Sequence, residues 1–546
     1  MFKGKCVRPQ LGKIPFILLC SLFISLCLNI AFYRQVMLLM PIHSLHDVFV
    51  FISMPIVAFS VINIVLTLAS FFWLDRLLIL SFILMSAAAQ YFIFSFGVVI
   101  DRTMITNIID TTSAESFALM TPKLIITLLL SAALPLVIIF WVRCTSNATW
   151  LSMLISRLSS IALSIIAILL IALFFYKDYA SLFRNNNTLI KSLSPSNSIS
   201  ALYSYYKHHK TDNLPLIKIG EDAYLDAAVK KNPRKNLTIL IVGETSRAKN
   251  FSLGGYSQQT NPRLEKDNVV YFPKTTSCGT ATIISVPCMF SDMPREHFDD
   301  QVARHQEGLL DVIQRAGVKV LWNENDGGCK GVCDRVPHQD MTSLNLSGQC
   351  INGECLDEVL FHGLDDYINK LDDNAVIVLH TIGSHGPTYY RRYPPQFQKF
   401  TPTCDTNEIQ NCSQEQLVNT YDNTILYVDY IVDKAINLLK AHQDKFTTSL
   451  VYLSDHGESL GENGVYLHGL PYTFAPETQK HVPMLIWLSS DYKQRFGVDE
   501  ACLKKRAVEN DYSQDNLFST MLGLSSVRTK LYQANDDILS PCKSSQ

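Results

Sequence analysis

The long apolar segments of this chain all lie in its first third. Apolar runs of about 20 residues, the length that crosses the hydrocarbon core of a bilayer, fall at 14–36, 48–72, 77–100, 122–143 and 151–175. The remainder of the 546 residues has the mixed composition of a water-soluble domain. The sequence therefore predicts a transmembrane domain of five α-helices over residues 1–177, followed by a polar part.

Basic residues near the spans predict the orientation of the chain. They precede the first span and follow the second and fourth spans at Lys3, Lys5, Arg8, Lys13, Arg76 and Arg143. Because basic residues favour the cytoplasmic side, we expect a cytoplasmic N-terminus and, after five crossings, an outer C-terminal part. The first span is too long for a signal peptide and lacks a small-residue cleavage site. We therefore expect a retained anchor in a bacterial inner membrane and a periplasmic C-terminal part.

The cysteines test this orientation independently. Ten of them lie after residue 177 and form near neighbours, namely Cys278 with Cys288, Cys329 with Cys333, Cys350 with Cys355, Cys404 with Cys412, and Cys502 with Cys542. An even, locally paired set is typical of disulfides in an oxidising compartment. The alternative is a four-thiolate zinc site made by Cys329, Cys333, Cys350 and Cys355.

The polar part divides into a connector at 178–236 and a larger domain at 237–546. Aromatic and basic residues at 203–209 suit interfacial helices at the level of the lipid headgroups, although a packed, solvated linker explains them equally well. After it, β-branched runs at 237–242, 318–322, 375–380, 449–454 and 482–488 resemble buried parallel strands. Alternating with helical stretches, they predict an α/β domain with a mostly parallel sheet.

Metal-binding side chains follow two of these strands. Glu244 comes after the first, and Asp455 with His456 comes after the fourth. Ligands of such sheets collect at the carboxyl ends of the strands, and carboxylate plus imidazole suits zinc, with Glu458 a candidate hydrogen-bond partner for the histidine. The alternative is that these residues are only solvated or cap helices. The net charge of −2, without a basic stripe, argues against a nucleic-acid partner.

Three further residues are candidates for binding or catalysis. His385 and His468 lie in glycine-bearing loops, where backbone and ligand can approach closely. Thr280 lies in the segment 277–288 between two cysteines, which resembles a loop that opens a helix. A helix N-terminus favours phosphate and a deprotonated nucleophile, so Thr280 is the candidate nucleophile. Its alternative role is simply to cap the helix.

Five motifs together resemble one known family. They lie at 243–247, 278–282, 328–334, 383–387 and 454–459. Their order is similar to that of the lipid A phosphoethanolamine transferases, which include the MCR-type colistin-resistance enzymes. The resemblance spans essentially the whole chain. It implies five membrane helices, a connector and a periplasmic domain of the alkaline-phosphatase and sulfatase type.

Carried over by motif, the resemblance implies functional residues. A catalytic zinc would be held by Glu244, Thr280, Asp455 and His456, with Thr280 also becoming phosphorylated. The phosphoethanolamine group, or a second zinc, would be surrounded by Lys330, His385 and His468. The donor-lipid site would be lined by Asn107 and Glu115, in a loop on the outer side of the membrane.

One motif departs from the expected pattern. Before Lys330 the chain has Asp326 and Gly327, where an Asn-Ser pair is expected in relatives. The polar contacts to substrate differ accordingly, and Asp326 is a candidate to bind the ethanolamine ammonium.

The resemblance implies zinc-dependent transfer of phosphoethanolamine from phosphatidylethanolamine to a lipid A phosphate through phosphothreonine. Such a product would mask negative charge and give polymyxin resistance. We expect a monomer whose partners are the bilayer, this donor and this acceptor. Alternatives of the same fold are a transferase acting on lipopolysaccharide core sugars, a phosphoglycerol transferase and a sulfatase-like hydrolase. A catalytically dead, membrane-anchored sensor is an alternative of another class.

Overall fold

The computed structural model describes residues 8–110, 116–117, 119–144, 149–185, 187–209, 215–351 and 353–544. Its contacts divide the chain into two compact units. One unit comprises Met1–Ile105 and Met120–Tyr206, and the other comprises Thr106–Leu119 and Lys207–Gln546. The first is helical, and the second is built on a mixed sheet.

The helices up to residue 209 are, in chain order, α1 Lys13–Cys27, α2 Ile30–Leu39, α3 Leu45–Phe71, α4 Asp75–Phe96, α5 Arg102–Asp110, α6 Pro122–Trp141, α7 Trp150–Asn185, α8 Asn187–Ile190 and α9 Ser196–His209. Among the described helices, α3, α4, α6 and α7 are each long and apolar enough to cross a membrane. Helices α1 and α2 form a fifth candidate span if the pair is counted as one.

The first span is not the continuous helix that the apolar run at 14–36 predicts. It bends by 48° between α1 and α2. At the break, the buried Asn29 side chain donates hydrogen bonds to the carbonyl oxygens of Ile24, at 3.0 Å, and Ser194, at 2.9 Å. A buried amide must be hydrogen-bonded, and its bonds to backbone groups replace the regular helical pattern here.

The second unit contains an eight-stranded sheet, whose strands we number in chain order. They are β1 Lys235–Gly243, β2 Val270–Thr276, β3 Lys319–Glu324, β4 His338–Asp340, β5 Ala375–His380, β6 Phe446–Ser454, β7 His481–Leu488 and β8 Tyr512–Ser513. Their order across the sheet is β8-β2-β7-β6-β1-β5-β3-β4. The mostly parallel sheet predicted from the sequence is thereby confirmed.

Strand β7 corrects one part of that prediction. It pairs antiparallel with both β6 and β2, and the other neighbouring pairs are parallel. Parallel neighbours need a long crossover, usually helical. Between β6 and β7 the chain forms only short elements, of which the one α-helix is Glu477–Lys480, and it returns in the opposite direction.

The remaining helices of this unit, continuing the numbering, are α10 Ala227–Lys231, α11 Thr282–Met289, α12 Asp300–Arg304, α13 Leu309–Arg315, α14 Leu364–Asn369, α15 Gln414–Ala441, α16 Glu477–Lys480, α17 Ser490–Arg495, α18 Glu500–Glu509 and α19 Asn516–Leu524. Strands β1, β5 and β6 are buried along nearly their whole length. This agrees with the uninterrupted apolar character of parallel strands that are covered on both faces.

The register of the central strands aligns their carboxyl ends. Ser454 of β6 pairs with Gly243 of β1, and His380 of β5 pairs with Val242 of β1 and Glu324 of β3. Side chains that follow β6, β1, β5 and β3 are therefore brought to one edge of the sheet, where ligands of α/β folds bind.

Five disulfides join the cysteines of this unit, in the pairs that their spacing predicts: Cys278–Cys288, Cys329–Cys333, Cys350–Cys355, Cys404–Cys412 and Cys502–Cys542. A cysteine in a disulfide offers no thiolate, so the alternative four-thiolate zinc site is not formed.

Candidate active site

A buried acidic group lies at the carboxyl ends of β1 and β6. Glu244, Asp455 and His456 are each 0% exposed, and one ligand atom from each lies within 4.8 Å of the others. The Nε2 atom of His456 is 3.4 Å from Oε1 of Glu244 and 3.3 Å from Oδ2 of Asp455. The structure thus brings together three of the four residues proposed as zinc ligands.

The histidine of this group is oriented by the backbone. Its Nδ1 lies 2.9 Å from the carbonyl oxygen of Gly457. A carbonyl only accepts, so Nδ1 carries the proton and Nε2 presents its lone pair to the two carboxylates. Burial lowers the pKa of His456 to about 4, which keeps the ring neutral at physiological pH, as a metal ligand requires.

Asp455 is held with one carboxylate oxygen available, whereas both oxygens of Glu244 accept hydrogen bonds from threonine hydroxyls. Oδ1 of Asp455 accepts hydrogen bonds from the backbone N–H groups of Thr245, at 3.1 Å, and His456, at 2.6 Å. Its Oδ2 accepts none from the described residues. Burial raises the pKa of Glu244 well above its ordinary value, and the charge of Asp455 raises it further. Two buried carboxylates and one neutral imidazole are a donor set that fits zinc.

The loop before α11 carries Thr280, the nucleophile predicted from the sequence. Thr280 is 7% exposed. Its hydroxyl donates a 2.5 Å hydrogen bond to the carbonyl oxygen of Leu470, and its own carbonyl accepts one from the N–H of Gly469 at 2.7 Å. Helix α11 begins two residues later, and the Cys278–Cys288 disulfide links the loop to that helix.

The hydroxyl directly beside the acidic group belongs to Thr282, which the sequence analysis did not identify. It donates to Oε2 of Glu244 at 3.2 Å and lies 3.4 Å from Nε2 of His456. As the first residue of α11, Thr282 presents its hydroxyl to two of the candidate zinc ligands, whereas the Thr280 hydroxyl is bonded to a backbone carbonyl. The geometry therefore favours Thr282, and not the predicted Thr280, as the nucleophile.

Gln514 joins the loop before α11 to the end of β6. Its side-chain oxygen accepts from the N–H of Cys278 at 2.7 Å, and its Nε2 donates to the carbonyl oxygens of Ser454, at 2.8 Å, and Asp455, at 2.6 Å. The residue is 1% exposed. These three bonds fix the spacing between Thr280 and Asp455, and no local sequence pattern reveals them.

Two more histidines adjoin the acidic group. The ring centres of His456 and His468 are 4.3 Å apart, and those of His468 and His385 are 5.4 Å apart. Burial lowers the pKa of His385, and the neighbouring His468 lowers it further, with Lys330 also contributing. For His468, burial opposes protonation, but the Glu458 carboxylate outweighs it and raises the pKa.

The role predicted for Glu458 is corrected here. Its Oε2 lies 3.3 Å from Nδ1 of His468, whereas Nδ1 of His456 is already bonded to the Gly457 carbonyl. Glu458 therefore orients the histidine of the neighbouring loop and not the candidate zinc ligand.

Asp326 lies in a second charged cluster at the same edge of the sheet. Its Oδ2 is 3.8 Å from Nε2 of His380, whose Nδ1 is 2.9 Å from Oε2 of Glu324. Burial opposes the protonation of His380, but Glu324 prevails and raises its pKa to about 9. Glu324 and His380 are both missing from the sequence-based site because each is the last residue of an ordinary buried strand.

Comparison with known proteins identifies the family. Residues 236–527 match the sulfatase family model, and residues 58–210 match the model for the phosphoethanolamine transferases EptA and EptB. The phosphoethanolamine transferase EptA of Salmonella typhimurium is 70% identical over 543 residues, covering 100% of this chain and 99% of the relative. The chain belongs to the EptA phosphoethanolamine transferase family.

Other EptA-family proteins extend this similarity. The phosphatidylethanolamine transferase Mcr-1 of Escherichia coli is 35% identical over 489 residues, covering 87% of this chain and 89% of Mcr-1. The integral membrane lipooligosaccharide phosphoethanolamine transferase A of Neisseria meningitidis has a similar solved structure. It matches with 44% identity and a TM-score of 0.94, covering 98% of this chain and 100% of that chain.

In this EptA-family chain, the expected donor-lipid residues are only partly described. Asn107 lies on α5, a helix where a loop was expected. The Nδ2 atom of Asn107 would lie 4.0 Å from a Cβ atom added at Gly469, which is next to His468. Asn107 therefore adjoins the loop that carries His468. Glu115 lies outside the described residues.

Exchanging Glu244 for Gln tests the charge balance of the site. In chelator-treated protein, Glu244→Gln should raise the unfolding free energy by about 1 kcal/mol, since it removes repulsion between two buried carboxylates. The same change should lower the zinc content. Thermal unfolding of the full chain and metal analysis measure the two effects.

The matched variant Glu324→Gln should have the opposite effect on stability. It removes the charged partner of His380 and should cost about 3 kcal/mol. Equal destabilisation by both variants would contradict the assignment of Glu244 to an uncompensated acidic group.

Proposed function

We propose that this chain transfers phosphoethanolamine from phosphatidylethanolamine to a lipid A phosphate through a phosphothreonine intermediate on Thr282. The observation that carries the proposal is the buried group of Glu244, Asp455 and His456 beside the start of α11, in a chain of the EptA family. Membership of that family supports the donor and the acceptor.

Zinc would be held by Glu244, Asp455 and His456 together with Thr282, whose hydroxyl lies beside two of them. When bound, it would supply Lewis-acid stabilisation of phosphoryl charge and lower the pKa of a hydroxyl. The available Oδ2 of Asp455 and the neutral Nε2 of His456 support this assignment.

In the first step, Oγ1 of Thr282 attacks the phosphorus of phosphatidylethanolamine. A P–Oγ1 bond forms, the P–O bond to diacylglycerol breaks, and the proton of the threonine passes to the departing diacylglycerol oxygen. To attack, the Thr282 hydroxyl gives up its bond to Glu244. The N–H groups at the start of α11 and the ammonium of Lys330 stabilise negative charge on the phosphoryl oxygens.

In the second step, an oxygen of the lipid A phosphate attacks the same phosphorus. The P–Oγ1 bond breaks, Thr282 regains a proton from the acceptor phosphate, and a diphosphate linkage to ethanolamine remains on lipid A. Such a two-step exchange is ping-pong. The added ammonium masks a negative charge, which weakens the attraction of cationic polymyxins.

The carboxylates near the histidines suit the ethanolamine group. Glu458 and Asp326 are buried anionic side chains close to His468 and His380. We assign the ammonium of the transferred group to this side of the site, with His385 and His468 around it and Asn107 and Glu115 toward the donor lipid.

Mapping the modified threonine tests the nucleophile. Full-length chain in micelles containing phosphatidylethanolamine and no acceptor should gain one phosphoethanolamine group, found on Thr282 by peptide mass spectrometry. Thr282→Ala should gain none and should lose lipid A modification by at least about 10³-fold.

Thr280→Val is the matched variant because it removes the hydroxyl two residues away. It should still be modified on Thr282, at a reduced rate, since only the bond to the Leu470 carbonyl is lost. Modification on Thr280, or modification that persists in Thr282→Ala, would refute the assignment.

Metal analysis of purified full-length protein tests zinc. The wild type should contain about one zinc per chain, and Asp455→Asn should lose most of it because one anionic ligand is removed. The exposed Asp444→Asn, which makes the same change outside the site, should retain zinc. Equal zinc in Asp455→Asn and the wild type would contradict the ligand assignment.

We further propose an inner-membrane location with a cytoplasmic N-terminus and a periplasmic catalytic domain, organised as 1–177, 178–236 and 237–546, in a monomeric enzyme. Support comes from five candidate spans and from disulfides in the second unit. Protease added to spheroplasts should digest the domain after residue 236, and intact cells should protect it. Protection of this domain in spheroplasts would contradict the periplasmic location and indicate the opposite topology.

A further inference from the structure

A cavity of about 460 Å³ adjoins the start of α11. Its lining includes Ile283 and Pro287 of α11, Ala303 and Arg304 of α12, and Gly328 and Lys330 of the loop after β3. We call it the α11–α12 groove. Its volume falls in the range of about 300 to 1,000 Å³ typical of small-molecule sites.

The groove opens beside the proposed nucleophile. Ile283, which lines the groove, directly follows Thr282 at the start of α11. At the other side, the groove is lined by Lys330 of the loop after β3. A phosphate bound in the groove therefore lies next to the residue that carries the transferred group.

The charges that line the groove leave a cationic surplus. Glu307 is paired with Arg315 at 2.6 Å, and Arg335 is paired with Asp311 at 2.8 Å. Within the described part of the chain, Arg304 and Lys330 form no ion pair, and Asp334 is an exposed carboxylate at the lining. Among the described residues that line the groove, two cationic side chains without an ion pair therefore face one carboxylate.

The loop after β3 keeps the groove open. Gly328 has a φ of +114°, and a Cβ atom added there would meet nothing within 4 Å. The Cys329–Cys333 disulfide constrains the same loop. Gly327 also lines the groove.

We infer that the α11–α12 groove is the acceptor subsite and binds the phosphorylated sugar head of the acceptor lipid, with Arg304 and Lys330 on its phosphate. This inference rests on the proposed function. The donor head is zwitterionic and has no net charge, whereas a phosphate monoester carries up to two negative charges and is attracted more strongly by two cations. The apolar faces of Ile283, Pro287 and Ala303 provide contact surface for the sugar.

During transfer, an acceptor phosphate oxygen held in the groove forms a bond to the phosphorus on Thr282. The P–Oγ1 bond breaks, and the proton of the acceptor phosphate passes to Thr282. No further reactant is needed.

Separating the two half-reactions of the full-length enzyme tests the inference. Phosphoenzyme formation and diacylglycerol release are measured with phosphatidylethanolamine alone, and transfer is measured after adding lipid A. Arg304→Glu should lower transfer relative to the donor half-reaction by at least about tenfold and raise the KM for lipid A, because an attractive charge becomes repulsive. Arg304→Lys should restore most of the transfer.

Two variants control for charge and for space. Lys266→Glu makes a similar charge change at an exposed position outside the groove. It should leave the ratio of transfer to the donor half-reaction unchanged. Ala303→Trp fills the groove without altering charge and should also lower the ratio, and thermal unfolding shows whether it folds.

The outcomes distinguish the two proposals. A wild type that forms no phosphoenzyme overturns the proposed function. A wild type that forms it, while Arg304→Glu and folded Ala303→Trp transfer at the wild-type ratio, overturns the acceptor groove.

Discussion

The burial of two carboxylates side by side is the constraint on which the rest of this site depends. Glu244 and Asp455 follow neighbouring parallel strands whose register brings their side chains together, with no exposure to water. Such a pair is costly unless a cation or a proton compensates it. The raised pKa of Glu244, caused first by burial and then by Asp455, expresses that cost.

The surroundings are arranged to make a cation the better solution. The Gly457 carbonyl fixes the tautomer of His456 so that its lone pair faces the carboxylates. Two backbone N–H groups occupy one oxygen of Asp455 and leave the other for a ligand. Gln514 and Thr282 then tie the loop before α11 and the start of that helix to this group. Nucleophile, phosphate-binding helix end and metal ligands are thereby held by one hydrogen-bond network.

The sequence reveals the parts of this arrangement that have a local signature. Strands β1, β3, β5, β6 and β7 are apolar runs, and Glu244, Asp455 and His456 follow them directly. Strand β2 contains Pro273 and Lys274 and β8 has two residues, so neither produces a strand pattern. Periodicity does not encode direction, which is why the antiparallel course of β7 was not predicted. The long apolar run at 14–36 conceals the break at Asn29 for a similar reason, since that break depends on a contact with the distant Ser194.

Other functional residues act only through tertiary contacts. Gln514 and His380 lie in unremarkable sequence, and Glu458 was assigned to the nearer histidine although the fold turns it toward His468. The most direct measurement of the central claim is anomalous diffraction at the zinc edge from crystals of the full-length chain. The account predicts an anomalous peak bonded to Glu244, Asp455 and His456. Zinc bound only elsewhere, for example between His385 and His468, with none at this group, would contradict it.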